Sequence, residues 1–197
     1  MQQRLGRSNR DRSETTRLAL IQAAKGLFID KGYAATSTPQ IVATAGITRG
    51  ALYHHFEDKQ DLFRAVLEQE AACVAEEIEA ATPADLPPRK ALIEGSMAYL
   101  DAMTAAGRTR LLLIEGPAVL GSQAMAQLDE THATRTLREG LEAAIASPDA
   151  GAMPIAELAV LLSAAFDRAA LAIDAGADPA AFRLAMITII ERMVGGA

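Results

Sequence analysis

The sequence predicts an all-α chain: a three-helix head holding a helix-turn-helix, a long fourth helix, and a helical body. Three observations carry this expectation. Half of the 197 residues are hydrophobic, which is enough for a sizeable core, and the composition is rich in Ala and Leu, which favours helix. No long alternating run rich in Val, Ile and Thr appears, so strands are not expected. Apolar residues recur at helical spacing, and Gly, Pro and cap residues punctuate them at helix lengths.

Taken in order, residues 1–12 hold Arg4, Arg7, Arg10 and Arg12 without apolar periodicity and read as a flexible basic arm. A first helix follows from about Ser13 to Lys31, with Leu20, Ile21, Ala24, Leu27 and Phe28 inward and Gly32 as its stop. Thr38 N-caps the second helix and Pro39 opens it, where a missing N–H costs nothing. Ile41, Val42 and Ala45 face inward, and Gly46 ends that helix. Thr48 caps a third helix, about Arg49–His55, with Leu52 and Phe56 as core contacts. Asp58, with Asp61 three residues on, starts a fourth helix from Lys59 to about Ala81. These elements divide the chain into an arm (1–12), a head (13–58), and a connecting helix with its body (59–197).

The Pro-rich stretch 82–88 breaks the chain. Helices then read at about 88–106, 108–115, 119–146, 154–175 and 179–194, punctuated by Pro117, Pro148, Pro154 and Gly176 through Pro179. The last two have wide apolar surfaces. Ile155, Leu158, Leu162, Phe166, Ala169 and Ile173 form one stripe, and Leu161 and Leu171 lie off it. Phe182, Met186, Ile189, Ile190 and Met193 form another, with Leu184 and Ile187 outside. Such helices are buried on more than one side. Either they are central to the monomer or a second copy covers the extra face, as in a four-helix interface.

Charge is uneven. Residues 1–64 carry ten Lys/Arg against six Asp/Glu, a net +4; the remainder carries nine against nineteen, a net −10. A basic head on an acidic body directs only the head at a polyanion. The lone Cys73 excludes an intrachain disulfide and fits a reducing, cytoplasmic setting. No signal peptide and no transmembrane run is visible.

The head has the residue types of a DNA reader. Thr36, Ser37 and Thr38 place hydroxyls and free N–H groups at a helix start, where a phosphate binds. Thr48, Arg49, Gly50, Tyr53 and His54 lie on or near the exposed side of the third helix; Arg49 suits guanine edges, and Gly50 permits close backbone approach. Lys59 adds a cation at the start of the fourth helix. Thr38 and Thr48 also read simply as caps, Tyr53 as a core aromatic, and the arginine arm as either a minor-groove contact or a solvated tail. His54 and His55 are adjacent on a helix and do not face each other, so no metal site is expected. No cofactor is expected.

Residues 44–63, Thr44-Ala-Gly-Ile-Thr-Arg-Gly-Ala-Leu-Tyr-His-His-Phe-Glu-Asp-Lys-Gln-Asp-Leu-Phe63, resemble the helix-turn-helix signature of TetR/AcrR-family transcriptional regulators. Ala23 through Tyr33 and Thr36 through Ile41 resemble the same family's first helix and the entry to its second. The resemblance covers about a quarter of the chain; Pro39 departs mildly from the family's pattern. It implies an all-helical homodimer built through the last two helices, a double-stranded DNA operator as partner, and a small-molecule effector. The implied DNA contacts are Thr36, Thr38, Thr48, Arg49, Gly50, Tyr53, His54 and Lys59. Ligand binding is then expected to shift the fourth helix and respace two recognition helices that must sit about 34–36 Å apart.

The family pattern also implies a cavity among the fourth to eighth helices, with Met97, Leu100, Met103, Leu113, Met125, Leu128, His132 and Phe166 as candidate ligand contacts. Methionines make an adaptable apolar wall, and His132 reads as a polar anchor, a satisfied interior histidine or a surface residue. Each apolar candidate reads more readily as core. The scarcity of aromatics beyond Arg64 argues against an aromatic cage for a large cation, so a small or aliphatic effector is expected. Walker, Gly-x-Ser-x-Gly and His-Glu-x-x-His motifs are all missing, so an enzyme is not expected. Acidic pairs Glu76-Glu77 and Asp129-Glu130 read as solvated faces. The competing expectation is a helical ligand-binding or scaffolding protein that does not read DNA sequence.

Overall fold

The computed structural model describes residues 9–145 and 154–195. Helices are α1 (Asn9–Ala35), α2 (Thr38–Ala45), α3 (Arg49–His55), α4 (Lys59–Ala81), α5 (Pro88–Ala102) and α6 (Arg108–Arg110). A π-helical turn (Leu111–Glu115) leads into α7 (Gly116–Leu120), and α8 (Ser122–Thr131), α9 (Ala133–Ala144), α10 (Ile155–Asp174) and α11 (Pro179–Val194) complete the chain. No strand occurs among the described residues. The chain forms two compact units, Met1–Glu68 and Gln69–Ala197, so the division falls inside α4 rather than at its start.

The first unit is organised by α1. Its Leu20, Ile21, Ala24 and Phe28 are buried, as are Ile41, Leu52, Phe56, Leu62 and Phe63. Phe28 meets Phe63 edge-on at 5.0 Å, and Tyr33 lies 4.8 Å from Phe63. Helix α1 starts at Asn9, four residues ahead of the expected Ser13, so Arg10 and Arg12 are helical. Asp11 sits in its first turn, where a negative charge is favoured, and the Thr15 and Thr16 hydroxyls return to the Asp11 and Arg12 carbonyls. Arg4 and Arg7 lie outside the described residues, as does Pro148. Gly32 stops the regular helix with φ 80°.

Helix α2 is capped by Ser37, not Thr38. The Ser37 N–H and hydroxyl both donate to Gln40 Oε1 at 2.9 Å, and the Ser37 carbonyl already accepts the Ile41 N–H. That moves Thr38 into the helix and frees its side chain for other work. The turn to α3 is tight because Gly46 adopts φ 66°, with the Gly46 N–H donating to the Ala43 carbonyl and the Ile47 N–H to that of Val42. A left-handed residue with this bond pattern closes a helix. A side chain at Gly46 meets no atom but must hold that conformation. Gly46→Val is therefore expected to lower the first unit's stability by about 1–2 kcal/mol, measured by thermal or urea denaturation.

The core of the second unit gathers Leu92 and Leu100 of α5, Leu141 of α9, Ala159, Leu162, Phe166 and Ala169 of α10, and Met186 and Ile190 of α11. Two expected helices end differently. Helix α5 stops at Ala102 rather than 106 because its last carbonyls are diverted: Arg108 Nη1 donates to the Ala102 carbonyl at 2.6 Å and Thr109 Oγ1 to that of Met103 at 2.8 Å. The span expected as one helix over 119–146 is three pieces, broken where Gly121 takes φ 85° and His132 takes φ −119°, ψ −100°.

Arg108 is the main polar fastener of this unit. It is buried at 6% exposure, with Nε 3.1 Å from Glu70 and Nη1 2.9 Å from Glu77. Glu70 is 1% exposed. Both carboxylates belong to α4, so the guanidinium ties α6 to the connecting helix. Glu77, read as part of a solvated pair, thus has a structural partner.

Candidate nucleic-acid interface and ligand cavity

The exposed side of α3 is assembled from its own cap outward. Thr48 Oγ1 accepts the Ala51 N–H at 3.3 Å, which leaves Arg49 and Gly50 at the free first turn. Leu52 and Phe56 turn inward, so Tyr53, at 45% exposure, and His54 point to solvent. The Arg49 guanidinium stacks over the Tyr53 ring at 5.5 Å. The Thr38 side chain first and Arg49 second hold the pKa of the Tyr53 phenol below the ordinary tyrosine value. Thr38, Arg49 and Tyr53 thereby form one surface joining the start of α2 to the face of α3. It offers a planar cation, hydroxyls and an open backbone, the groups that contact phosphates and base edges. Among the described residues no group of three or more His, Cys, Asp and Glu is placed to hold a metal ion.

Thr36 and Lys59 lie elsewhere than the expected contact surface. Thr36 is 2% exposed, and its hydroxyl donates to the Gly32 carbonyl at 2.8 Å and the Leu27 carbonyl at 3.2 Å. Lys59 Nζ donates to the Tyr33 and Thr36 carbonyls at 2.8 and 2.9 Å and sits 4.0 Å from the centre of the Tyr33 ring. Partial burial lowers its pKa. Both residues clamp the turn between α1 and α2, which orphans carbonyls where Gly32 interrupts the helix. Charged hydrogen bonds contribute about 1.5–3 kcal/mol when buried; solvent screening at a half-buried lysine reduces the expected loss for Lys59→Met to about 1–2 kcal/mol. A melting-temperature drop checks this clamp, since a lysine serving only a phosphate leaves the melting temperature unchanged.

In the second unit, two cavities share the walls formed by Tyr99, Ala133 and Ser163. One, of about 400 Å³, lies against Ile78, Leu86, Leu92 and Phe166. The other, of about 460 Å³, is lined by Met103, Leu113, Met125, Leu128 and His132, five of the eight expected ligand contacts. Phe166 lines the first cavity instead. Leu100, 1% exposed, is core, and Met97 packs against that core, because the face of α5 that carries them meets α9, α10 and α11.

Sequence reasoning missed the carboxylates and hydroxyls of the larger cavity. Asp129, read as solvated, accepts hydrogen bonds from the hydroxyls of Thr134 and, at 3.1 Å, Ser163. Tyr99 donates to Asp167 at 2.5 Å. Burial first and the Asp129 charge second raise Asp167 to about 6, against the lowering effect of the Tyr99 hydrogen bond; burial and Asp167 raise Tyr99 well above its usual value. The available signal was Asp167 itself, a carboxylate next to Phe166 in an apolar stripe.

The first unit's geometry defines a helix-turn-helix protein. Residues 20–66 match the family model of bacterial regulatory proteins of the tetR family, and residues 89–197 match the tetracyclin repressor-like C-terminal domain. The chain is 34% identical over 112 residues to the HTH-type transcriptional regulator AcrR of Shigella flexneri, covering 55% of this chain and 51% of AcrR. It is 42% identical over 52 residues to the HTH-type transcriptional repressor BepR of Brucella suis, covering 26% of this chain and 25% of BepR. The chain thus matches about half the length or less of these curated relatives. A crystal structure of a TetR-family transcriptional regulator from Pectobacterium atrosepticum superposes with TM-score 0.71 at 28% identity, covering 95% of both chains. The chain belongs to the TetR family of bacterial regulatory proteins.

Proposed function

We propose that this chain is a ligand-responsive, DNA-binding transcriptional regulator, a repressor that a small-molecule effector releases from a palindromic operator. The observation that carries the reading is the surface that Thr38 of α2 forms with Arg49, Gly50, Tyr53 and His54 of α3. Residues 13–58 read DNA; 59–197 connect, bind effector and dimerise. Val160 and Leu161 of α10 and Leu184 and Ile189 of α11 are 42–68% exposed, an apolar face that fits a second copy of the chain. The described helices include none long and apolar enough to cross a membrane, and the place of action is the cytoplasm, with DNA. The chain acts by binding and not by catalysis.

Two readers on one dimer must match half-sites about 34–36 Å apart. An effector that favours a different spacing by about 3 kcal/mol weakens binding about a hundredfold. Titrating double-stranded DNA from the flank of its own gene, against a scrambled duplex and across a salt series, tests the reading. Selective, salt-dependent binding by a dimer is expected; equal binding to both duplexes contradicts it.

A further inference from the structure

The larger cavity of the second unit has a charge demand that its own residues leave unmet. Its wall is mostly apolar, with Met103, Leu112, Met125 and Leu171 among the lining. Asp129 and Asp167 are set into that wall, Glu130 and His132 also line it, and no lysine or arginine does. Glu130 is neutralised by Arg138. Three arginines of the surrounding elements are engaged elsewhere, Arg108 with Glu70 and Glu77, Arg110 with Glu115, and Arg135 with Glu79 and Glu139, and Arg168 of α10 is exposed and outside the lining. Among the described residues, Asp129 and Asp167 receive only hydroxyl protons, from Thr134, Ser163 and Tyr99. Hydroxyls orient carboxylates and solvate them, but they bring no positive charge.

We propose that this cavity takes a lipophilic organic cation, an apolar body bearing one protonated amine or quaternary ammonium, with Asp129 and Asp167 facing the charge. The inference rests on the reading of the second unit as the effector-binding part and names the effector's chemistry. The raised pKa of Asp167 fits this account, since both of its causes, burial and the neighbouring Asp129, describe a carboxylate short of a counter-charge. Carboxylates hold the charge here, not an aromatic cage; Tyr99 is the one aromatic ring in the lining besides the His132 imidazole. Apolar walls strengthen that attraction relative to open water.

Calorimetry on the full-length protein at pH 7.5 tests this with three matched probes: 4-phenylbutylamine, 4-phenylbutan-1-ol and 4-phenylbutyrate. The amine is expected to bind at least tenfold more tightly than the alcohol, and the carboxylate more weakly than either. The double variant Asp129→Asn, Asp167→Asn keeps acceptors for all three hydroxyls and is expected to lose the amine's advantage while still binding the alcohol. Equal binding of amine and alcohol by the unaltered protein overturns the proposal. So does no amine binding at millimolar concentration, or an amine preference that survives the double variant. DNA titrations on the same preparations separate the two readings. Selective DNA binding without amine preference overturns the cation site alone; amine preference without DNA selectivity overturns the regulator reading alone.

Discussion

Arg108→Met is expected to destabilise the second unit by about 3–5 kcal/mol, the usual consequence of removing one partner from a buried ion pair. The guanidinium holds Glu70, 1% exposed, the rim carboxylate Glu77, and the Ala102 carbonyl at once. Methionine keeps the unbranched apolar stem of the side chain and replaces none of these bonds. Most of the cost comes from Glu70, which stays desolvated and loses the guanidinium. Desolvation and the two glutamates act in opposite directions on Arg108, and the net effect raises its pKa. Urea denaturation of the single variant, of Glu70→Gln and of the pair checks the account. The double variant should recover a large part of the loss, whereas additive losses would mean that Arg108 and Glu70 are not coupled.

Asp167→Asn is expected to do the opposite near neutral pH. Burial and Asp129 raise the Asp167 pKa from 3.8 to about 6. The folded protein therefore holds this proton more tightly than the unfolded chain does. Stability contributed by the protonated form is present below pH 4, declines as pH rises toward 6, and is absent above it. At about 1.36 kcal/mol per pKa unit, the ionised carboxylate costs the native state about 2–3 kcal/mol. Asparagine still accepts the Tyr99 hydrogen bond and carries no charge. The variant should thus exceed the unaltered protein by about that amount at pH 7.5 and equal it near pH 4. A stability difference that does not vary with pH contradicts this. A carboxylate that costs stability and faces a cavity is the kind of local inconsistency that functional sites retain.

The head was legible because its signals are local. Caps, Gly46 and the Asp58–Asp61 pair each act within one turn of helix. The observed α3 and α4 boundaries coincide with those expected from them, with the Asp61 N–H on Asp58 and the Glu57 N–H on Asp61. The body was less legible because its breaks depend on distant partners. Arg108 takes a carbonyl from the end of α5, and Ser163 of α10 and Thr134 of α9 hold Asp129 beside His132, where an Ala-rich sequence reads as one long helix. The intramolecular partners of Thr36 and Lys59 were not legible for the same reason: residue type suggests phosphate, while the carbonyls they bond become available only where Gly32 interrupts the helix. Leu161 and Leu184, off the apolar stripes, are 68% and 67% exposed, as a second apolar face requires.

Sequence-selective reading by α3 is the central claim, and Arg49→Ala tests it most directly. Both proteins should be titrated with DNA from the flank of the chain's own gene and with a scrambled duplex, over a salt series, with melting curves alongside. Arg49 is exposed, so the fold should be unchanged. The unaltered protein should prefer its own flanking DNA and weaken as salt rises, while Arg49→Ala should lose about 1–3 kcal/mol of that preference and keep most of its non-selective binding. Binding by the unaltered protein that is weak and equal on both duplexes, or full selectivity retained by Arg49→Ala, would contradict the account.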